Sequence, residues 1–250
     1  MRVAIFFLLL FSSILSISLS SEEYNHVKVV YDGDTILLQN GQRVRYLGID
    51  APEIDHEGRD SDFMAHEAKE FNRRILAGKK VRLVYDEEKT DRYGRSLAYV
   101  FIGKDKMVNG ILVRRGLANV MTIRPNIKYR NYLLKQQRLA MEGRTGIWRR
   151  KLKSHEKVYL GNSNTFRFHR PGCSSAGEIS RENRVNFNTV FEAFWEGCSP
   201  CNRCSPCRGR DEAGYKVPHP LLGLAFFKKG FLYNSLVVRA DYVPSRQDAH

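Results

Sequence analysis

The chain has 250 residues, 42% hydrophobic and 27% charged, and its 41 Lys and Arg against 27 Asp and Glu give a formal charge of +14. This apolar content excludes an unfolded polyelectrolyte, and the cation excess points to a polyanionic partner. Nucleic acid comes first, because a phosphate backbone neutralises many Lys and Arg at once and releases counterions; a merely basic soluble protein stays open on charge alone.

Residues 1–20, MRVAIFFLLLFSSILSISLS, carry one basic residue, an apolar run from Val3 to Phe11 and small residues at Ser18 and Ser20. The pattern predicts an export signal, and so a secreted or periplasmic protein. An uncleaved membrane anchor is the alternative, although four Ser among residues 12–18 dilute a segment that must span ~20 residues of hydrocarbon.

From Val27 to Asp50, three β-rich runs are separated by Asp-Gly and Asn-Gly, strong hairpin signals that predict a meander. Ser61 to Ala77 places Met64, Ala68, Phe71 and Ile75 at helical spacing, with Ser61 as the expected N-cap and Gly78 as the stop. Lys79 to Ile102 reads as a second hairpin. A short helix from Met107 ends at Gly116, and a longer basic one runs from Asn126 to Glu142, before GRTGIW. Five strand segments interleaved with three helices suggest an α+β fold: a five-stranded OB-type barrel over residues 24–150.

RRKLKSHEK then reads as a charged linker, after which a Cys-, Asn- and Ser-rich segment marks a second small domain, residues 157–208. Residues 209–250, with LLGLAFF and FLYNSLVV, are left unassigned. All five cysteines fall in the C-terminal third, so they serve a local device.

Acidic and basic residues gather near the ends of the predicted strands: Asp32 and Asp34, then Arg45, Asp50 and Glu53, then Asp91 and Arg95. Singly they read as turns or solvated loops, and together they also fit a structural ion-pair network. Their combination fits hydrolysis of a phosphodiester. Asp34, Asp50 and a carbonyl near Ala51 suit a hard cation such as Ca²⁺, Glu53 is left to orient or deprotonate water, and Arg45 and Arg95 can fork onto a phosphate.

VVYDGDTILL, VRYLGIDAPE, TDRYGRSLAYVF, MVNGILVRRGLANV and GIW, in this order over Val27 to Trp148, closely resemble the staphylococcal nuclease (thermonuclease) family. The resemblance implies an OB-fold barrel and Ca²⁺-dependent endonucleolytic cleavage of DNA and RNA to 3′-phosphate products. It implies that Asp34 and Asp50 bind calcium, with the carbonyl of Ala51 in place of the usual Thr. It also implies that Glu53 is the catalytic glutamate and that Arg45 and Arg95 bind phosphate. Tyr93 matches a nucleotide-contacting Tyr, while Thr122 stands where another is expected, which weakens base stacking there; Arg92 and Arg124 are then expected to hold the strand through phosphates.

His169-x3-Cys173 and Cys201-x2-Cys204, 27 residues apart, have zinc-ligand spacing, and a Cys₃His site would staple a segment too small for much core. Two disulfides with a spare thiol are the alternative in an exported chain. FHRPGC followed by ENRVNFNTVFEAFWEGCSPCNRCSP resembles the zinc-binding domain of Ada-type alkylation-repair proteins, over Val158 to Pro206. That family's methyl-accepting cysteine falls on His169, so the resemblance implies structural zinc without methyl transfer. Cys198 and Cys207 are surplus to the ligand set. A non-catalytic nucleic-acid-binding barrel is the rival reading, but a degenerate binder is expected to lose several of the five nuclease residues. A third reading, a zinc-organised interaction protein, leaves the charge unexplained, and no protein partner is inferable.

Overall fold

Two turn dipeptides fold the first stretch into antiparallel strands: β1 (Tyr24–Val30), β2 (Thr35–Leu38) and β3 (Arg43–Tyr46). DGDT joins β1 to β2 with Val30 opposite Ile36, and QNGQ joins β2 to β3 with Ile36 opposite Val44. The computed structural model describes residues 24–55 and 60–207; residues 1–20, predicted as an export signal, and residues 209–250 lie outside them.

β4 (Ile49–Asp50) leads into α1 (Ala65–Leu76), which starts later than expected. Ser61 does not cap it, because its hydroxyl accepts the Asp55 N–H, and the N-cap position is Met64 in a left-handed conformation. The buried stripe is Ala65, Ala68, Asn72 and Leu76, with Met64, Phe71 and Ile75 half-buried at its edge. Gly78, at φ 67°, ends the helix as expected.

β5 (Lys80–Val84) and β6 (Ser96–Ile102) form the second hairpin. β5 pairs with β1, and β6 returns parallel to β3 with Arg45 opposite Leu97. These five strands close a barrel with helices around it, the OB-type fold read from the pattern. After β7 (Lys106–Met107) come α2 (Val108–Arg114), β8 (Asn119–Val120, paired with β4) and α3 (Arg130–Glu142). Asn126 does not begin α3. It bonds both backbone groups of Glu88, at 2.8 and 3.0 Å, and so ties down the loop between β5 and β6.

The C-terminal segment builds β9 (Tyr159–Asn162), β10 (Arg167–His169), the single turn α4 (Ser174–Gly177), β11 (Arg184–Phe187), α5 (Val190–Trp195) and β12 (Ser199–Pro200). Its sheet runs β11-β9-β10-β12. The apolar cluster beneath it includes Ala140 and Met141 of α3 and Trp148, so the segment packs on the back of α3. Gln137 links the two: fully buried, it accepts from the Val120 N–H at 2.7 Å and donates to the Phe194 carbonyl at 2.5 Å. Between the units, residues 149–157 follow an anchored course.

Candidate active site

The DGDT turn aims a carboxylate inward because bonds from within the turn and from Asn72 fix its backbone. Asp32 accepts the Asp34 N–H at 2.8 Å, and the buried amide of Asn72 donates to the carbonyls of Asp32 and Gly33 at 3.4 and 3.3 Å. Asn72 is itself oriented by the Tyr46 hydroxyl, which donates to it at 3.1 Å. Gly33 lies against Ala51 and Ala68, where a side chain has no room.

Asp34 is fully buried. One of its oxygens takes Arg45 and the Thr35 hydroxyl, and the other accepts the Ala51 N–H at 2.7 Å. Arg45, on β3 opposite Thr35, also donates to Asp50 at 2.8 Å, so one guanidinium spans both carboxylates. Burial holds the Asp34 carboxyl well above the usual carboxylate range, against Arg45 and with Asp32 adding to the rise. Burial works to lower Arg45, but Asp34 and Asp50 outweigh it and raise its pKa.

Glu53 stands at the exposed rim, its backbone exchanging bonds with Asp62 (Asp62 N–H to Glu53 carbonyl 2.9 Å, Glu53 N–H to Asp62 carboxylate 3.1 Å). Desolvation on its protein side raises its carboxyl, as does Asp32, while Arg45 opposes the rise. Three carboxylates beside one guanidinium leave an excess of negative charge. This all-oxygen donor set fits a hard divalent cation and lacks the sulfur or imidazole of a softer one.

Arg95, immediately before β6, is held by Asp91 at 2.7 Å. Burial alone would raise Asp91; the N–H groups of Arg95 and Tyr93 and the Arg95 guanidinium outweigh it and hold the carboxyl below its ordinary value. Tyr93 is 66% exposed, with Arg92 and Arg95 at 4.8 and 5.5 Å from its ring centroid. Arg124 lies apart: it donates to the Asn164 carbonyl at 3.0 Å and stacks on Phe166, at the junction with the C-terminal unit. Thr122 is buried. Asn72 and Asp62 were missed in the sequence; a polar residue four positions from Ala68, on the face that α1 buries, was the available sign of Asn72.

At the other end of the molecule, His169, Cys173, Cys201 and Cys204 offer ligand atoms within 4.8 Å of one another. The Cys173 sulfur lies 3.6 Å from His169 Nδ1, the edge expected of a zinc tetrahedron with bonds of about 2.3 and 2.0 Å. β10 supplies His169, the N-cap of α4 supplies Cys173, and the turn after β12 supplies Cys201 and Cys204. Burial pushes the Cys204 thiol up to about 12. Burial also works to raise Cys173, but bonds from Cys204, Ser175 and Ala176 bring it below the usual thiol range. None of the five cysteines is in a disulfide, and Cys198 sits in the apolar cluster against which Cys207 packs, which gives both a packing role.

Residues 43–150 match the staphylococcal nuclease homologue family. The chain is similar to the thermonuclease of Staphylococcus hyicus, 38% identical over 132 residues that cover 52% of this chain and 77% of that protein. The thermonuclease of Staphylococcus intermedius is 41% identical over 127 residues, 50% of this chain and 75% of that one. The SPbeta prophage-derived endonuclease YokF of Bacillus subtilis (strain 168) is 34% identical over 122 residues, 47% of this chain and 41% of that one. A closed five-stranded barrel, an Asp–Arg–Asp constellation anchored on the buried Asp34 and these likenesses lead to one conclusion: the chain belongs to the staphylococcal nuclease family and is a phosphodiester-hydrolysing nuclease.

Proposed function

We propose that the protein is an exported, Ca²⁺-dependent endonuclease that cleaves DNA and RNA to 3′-phosphate products, with a structural zinc site in its C-terminal unit. The observation that carries this reading is the Asp34–Arg45–Asp50 arrangement with Glu53 at its rim. Asp34, Asp50 and the carbonyl of Ala51 would hold the calcium, which when bound polarises a phosphoryl oxygen and neutralises charge on it. Glu53, left outside this set, orients or deprotonates the attacking water. Arg45 and Arg95 bind the phosphate and offset the charge that builds in the transition state. Tyr93 with Arg92 offers a base a flat surface flanked by cations, and Arg124 is a further phosphate ligand.

His169, Cys173, Cys201 and Cys204 would hold zinc, which supplies the cross-link of a small unit. Export rests on residues 1–20; among the described residues no helix is long and apolar enough to cross a membrane. The reading is tested with Glu53→Gln. Turnover of a labelled oligonucleotide in Ca²⁺ is expected to fall at least 10²-fold with binding nearly unchanged, and unchanged turnover would remove Glu53 from the mechanism.

A further inference from the structure

Five cations lie in the nine residues that join the barrel to the C-terminal unit: Arg149, Arg150, Lys151, Lys153 and Lys157. All five are exposed, and among the described residues no carboxylate pairs with any of them. Elsewhere some cations are committed, Arg45 to Asp34 and Asp50, Arg73 to Glu70, Arg95 to Asp91, Arg138 to Glu196 and Arg170 to Glu156, while others, such as the exposed Lys79, Lys80 and Arg114, are scattered rather than set five in nine residues.

This stretch is fastened along its length. Trp148 is buried before it, and Leu152 packs into the apolar cluster of the C-terminal unit while its neighbours Lys151 and Lys153 face solvent. The Ser154 hydroxyl accepts the Val190 N–H at 3.1 Å, and the Tyr159 hydroxyl accepts the N–H groups of His155 and Glu156 at 2.8 and 3.3 Å. These exposed charges are thus held in a row whose backbone entropy is already lost on folding, so a ligand need not order it.

The row begins beside the active site. Arg150 lies over the ring of Phe63 at 3.6 Å, and Arg149 reaches the Met64 sulfur at 3.5 Å. The preceding residue, Asp62, exchanges backbone and side-chain bonds with Glu53. A strand leaving the scissile position on the Glu53 side therefore meets Arg150 first and the lysines next.

We propose that residues 149–157 form a second nucleic-acid-binding site, a cationic track that holds the phosphates of a single strand continuing out of the cleavage site toward the C-terminal unit. At no more than ~3.6 Å per residue the row extends up to ~30 Å, room for several successive phosphates. Such contacts carry no base information, so the track adds affinity for long substrates without sequence preference. The proposal rests on the nuclease reading above.

The test uses the full chain and the triple variant Lys151→Gln/Lys153→Gln/Lys157→Gln, none of whose residues belongs to the catalytic constellation. Cleavage is measured on single-stranded oligonucleotides from 3 to 30 nucleotides between 50 and 300 mM salt. The shortest oligonucleotides should be cleaved with unchanged kcat/KM, which also shows that the variant folds. KM for the longest should rise about tenfold or more, and the slope of log affinity against log salt should fall by about 2, at ~0.7 for each phosphate that the variant no longer neutralises. An equal effect on short and long substrates, or no effect, overturns the track. Binding of the 30-mer without Ca²⁺ is followed in parallel: a wild type that binds with the steeper slope yet cuts nothing when Ca²⁺ is supplied refutes the nuclease reading while supporting the track. A variant that loses affinity only for vesicles of anionic phospholipid, and not for oligonucleotide, refutes the track in favour of a membrane surface.

Discussion

Gly33→Ala tests how the DGDT turn is built. A Cβ on residue 33 would lie 2.5 Å from the Ala51 Cβ and 2.9 Å from the Ala68 Cβ. The first is roughly 0.9 Å short of ordinary van der Waals contact, and both neighbours are rigid methyl groups on buried backbone. Overpacking of this kind costs about 1–3 kcal/mol. Stiffening of the unfolded chain returns about 0.4–1 kcal/mol, so the net loss should be about 0.5–2 kcal/mol. For a chain of this size that is a drop of roughly 1–8 °C in Tm. Because the turn must move away from Ala51, it carries Asp34 with it, and a displacement near 1 Å is expected to cost on the order of 10²-fold in kcat/KM. Thermal unfolding followed by circular dichroism and cleavage at saturating Ca²⁺ give the two numbers. Adding Ala51→Gly removes the shorter contact and should restore part of both losses, a coupling readable as a double-mutant cycle. If Gly33→Ala keeps wild-type Tm and activity, or if Ala51→Gly restores nothing, the close-approach argument is wrong.

Asn72→Leu strands the Tyr46 hydroxyl and two turn carbonyls, so it should cost about 2–4 kcal/mol in urea unfolding and raise the Ca²⁺ concentration needed for half-maximal cleavage. Asn109→Ala leaves the Val100 N–H and the Leu47 carbonyl without their buried partner and should cost about 2–5 kcal/mol with little change in KM, measured by the same methods. Burial pushes the Cys198 thiol up to about 11, so near pH 8 only about one in a thousand molecules holds it as thiolate. Mass spectrometry should find Cys198 unalkylated in the folded protein and modified after unfolding; rapid labelling of folded protein would contradict its packing. Metal analysis should find about one zinc per chain, lost in Cys201→Ser together with cooperative unfolding of the C-terminal unit.

The strands were legible because DG, NG and alternating apolar residues each state a local geometry that the closed barrel then uses. The gathering of His169, Cys173, Cys201 and Cys204 was legible for a related reason, since each close pair sits at turn spacing. Helix starts were not: Ser61 has the chemistry of a cap, but the loop carrying Asp55 takes its hydroxyl, and Asn126 is drawn to Glu88 by a contact 38 residues away. The partners of buried amides were equally hidden. The spacing from Ala68 places Asn72 on the buried face of α1, but what Asn72 and Gln137 bond to there is supplied only by tertiary packing. Of the proposed site residues, the structure joins Asp34, Arg45 and Asp50 directly. It sets Glu53 within electrostatic reach, while Arg95 is held by Asp91 and Arg124 by the C-terminal unit.

The measurement closest to the central claim is the end chemistry of products from a 5′-labelled single-stranded oligonucleotide, incubated with residues 21–250 in Ca²⁺ or in chelator, beside Glu53→Gln. Cleavage in Ca²⁺ alone, to 3′-phosphate ends, with the Gln variant slowed at least 10²-fold, is the predicted result. Cleavage that persists in chelator, or that leaves 3′-hydroxyl ends, would contradict the assignment of Asp34, Asp50 and Glu53.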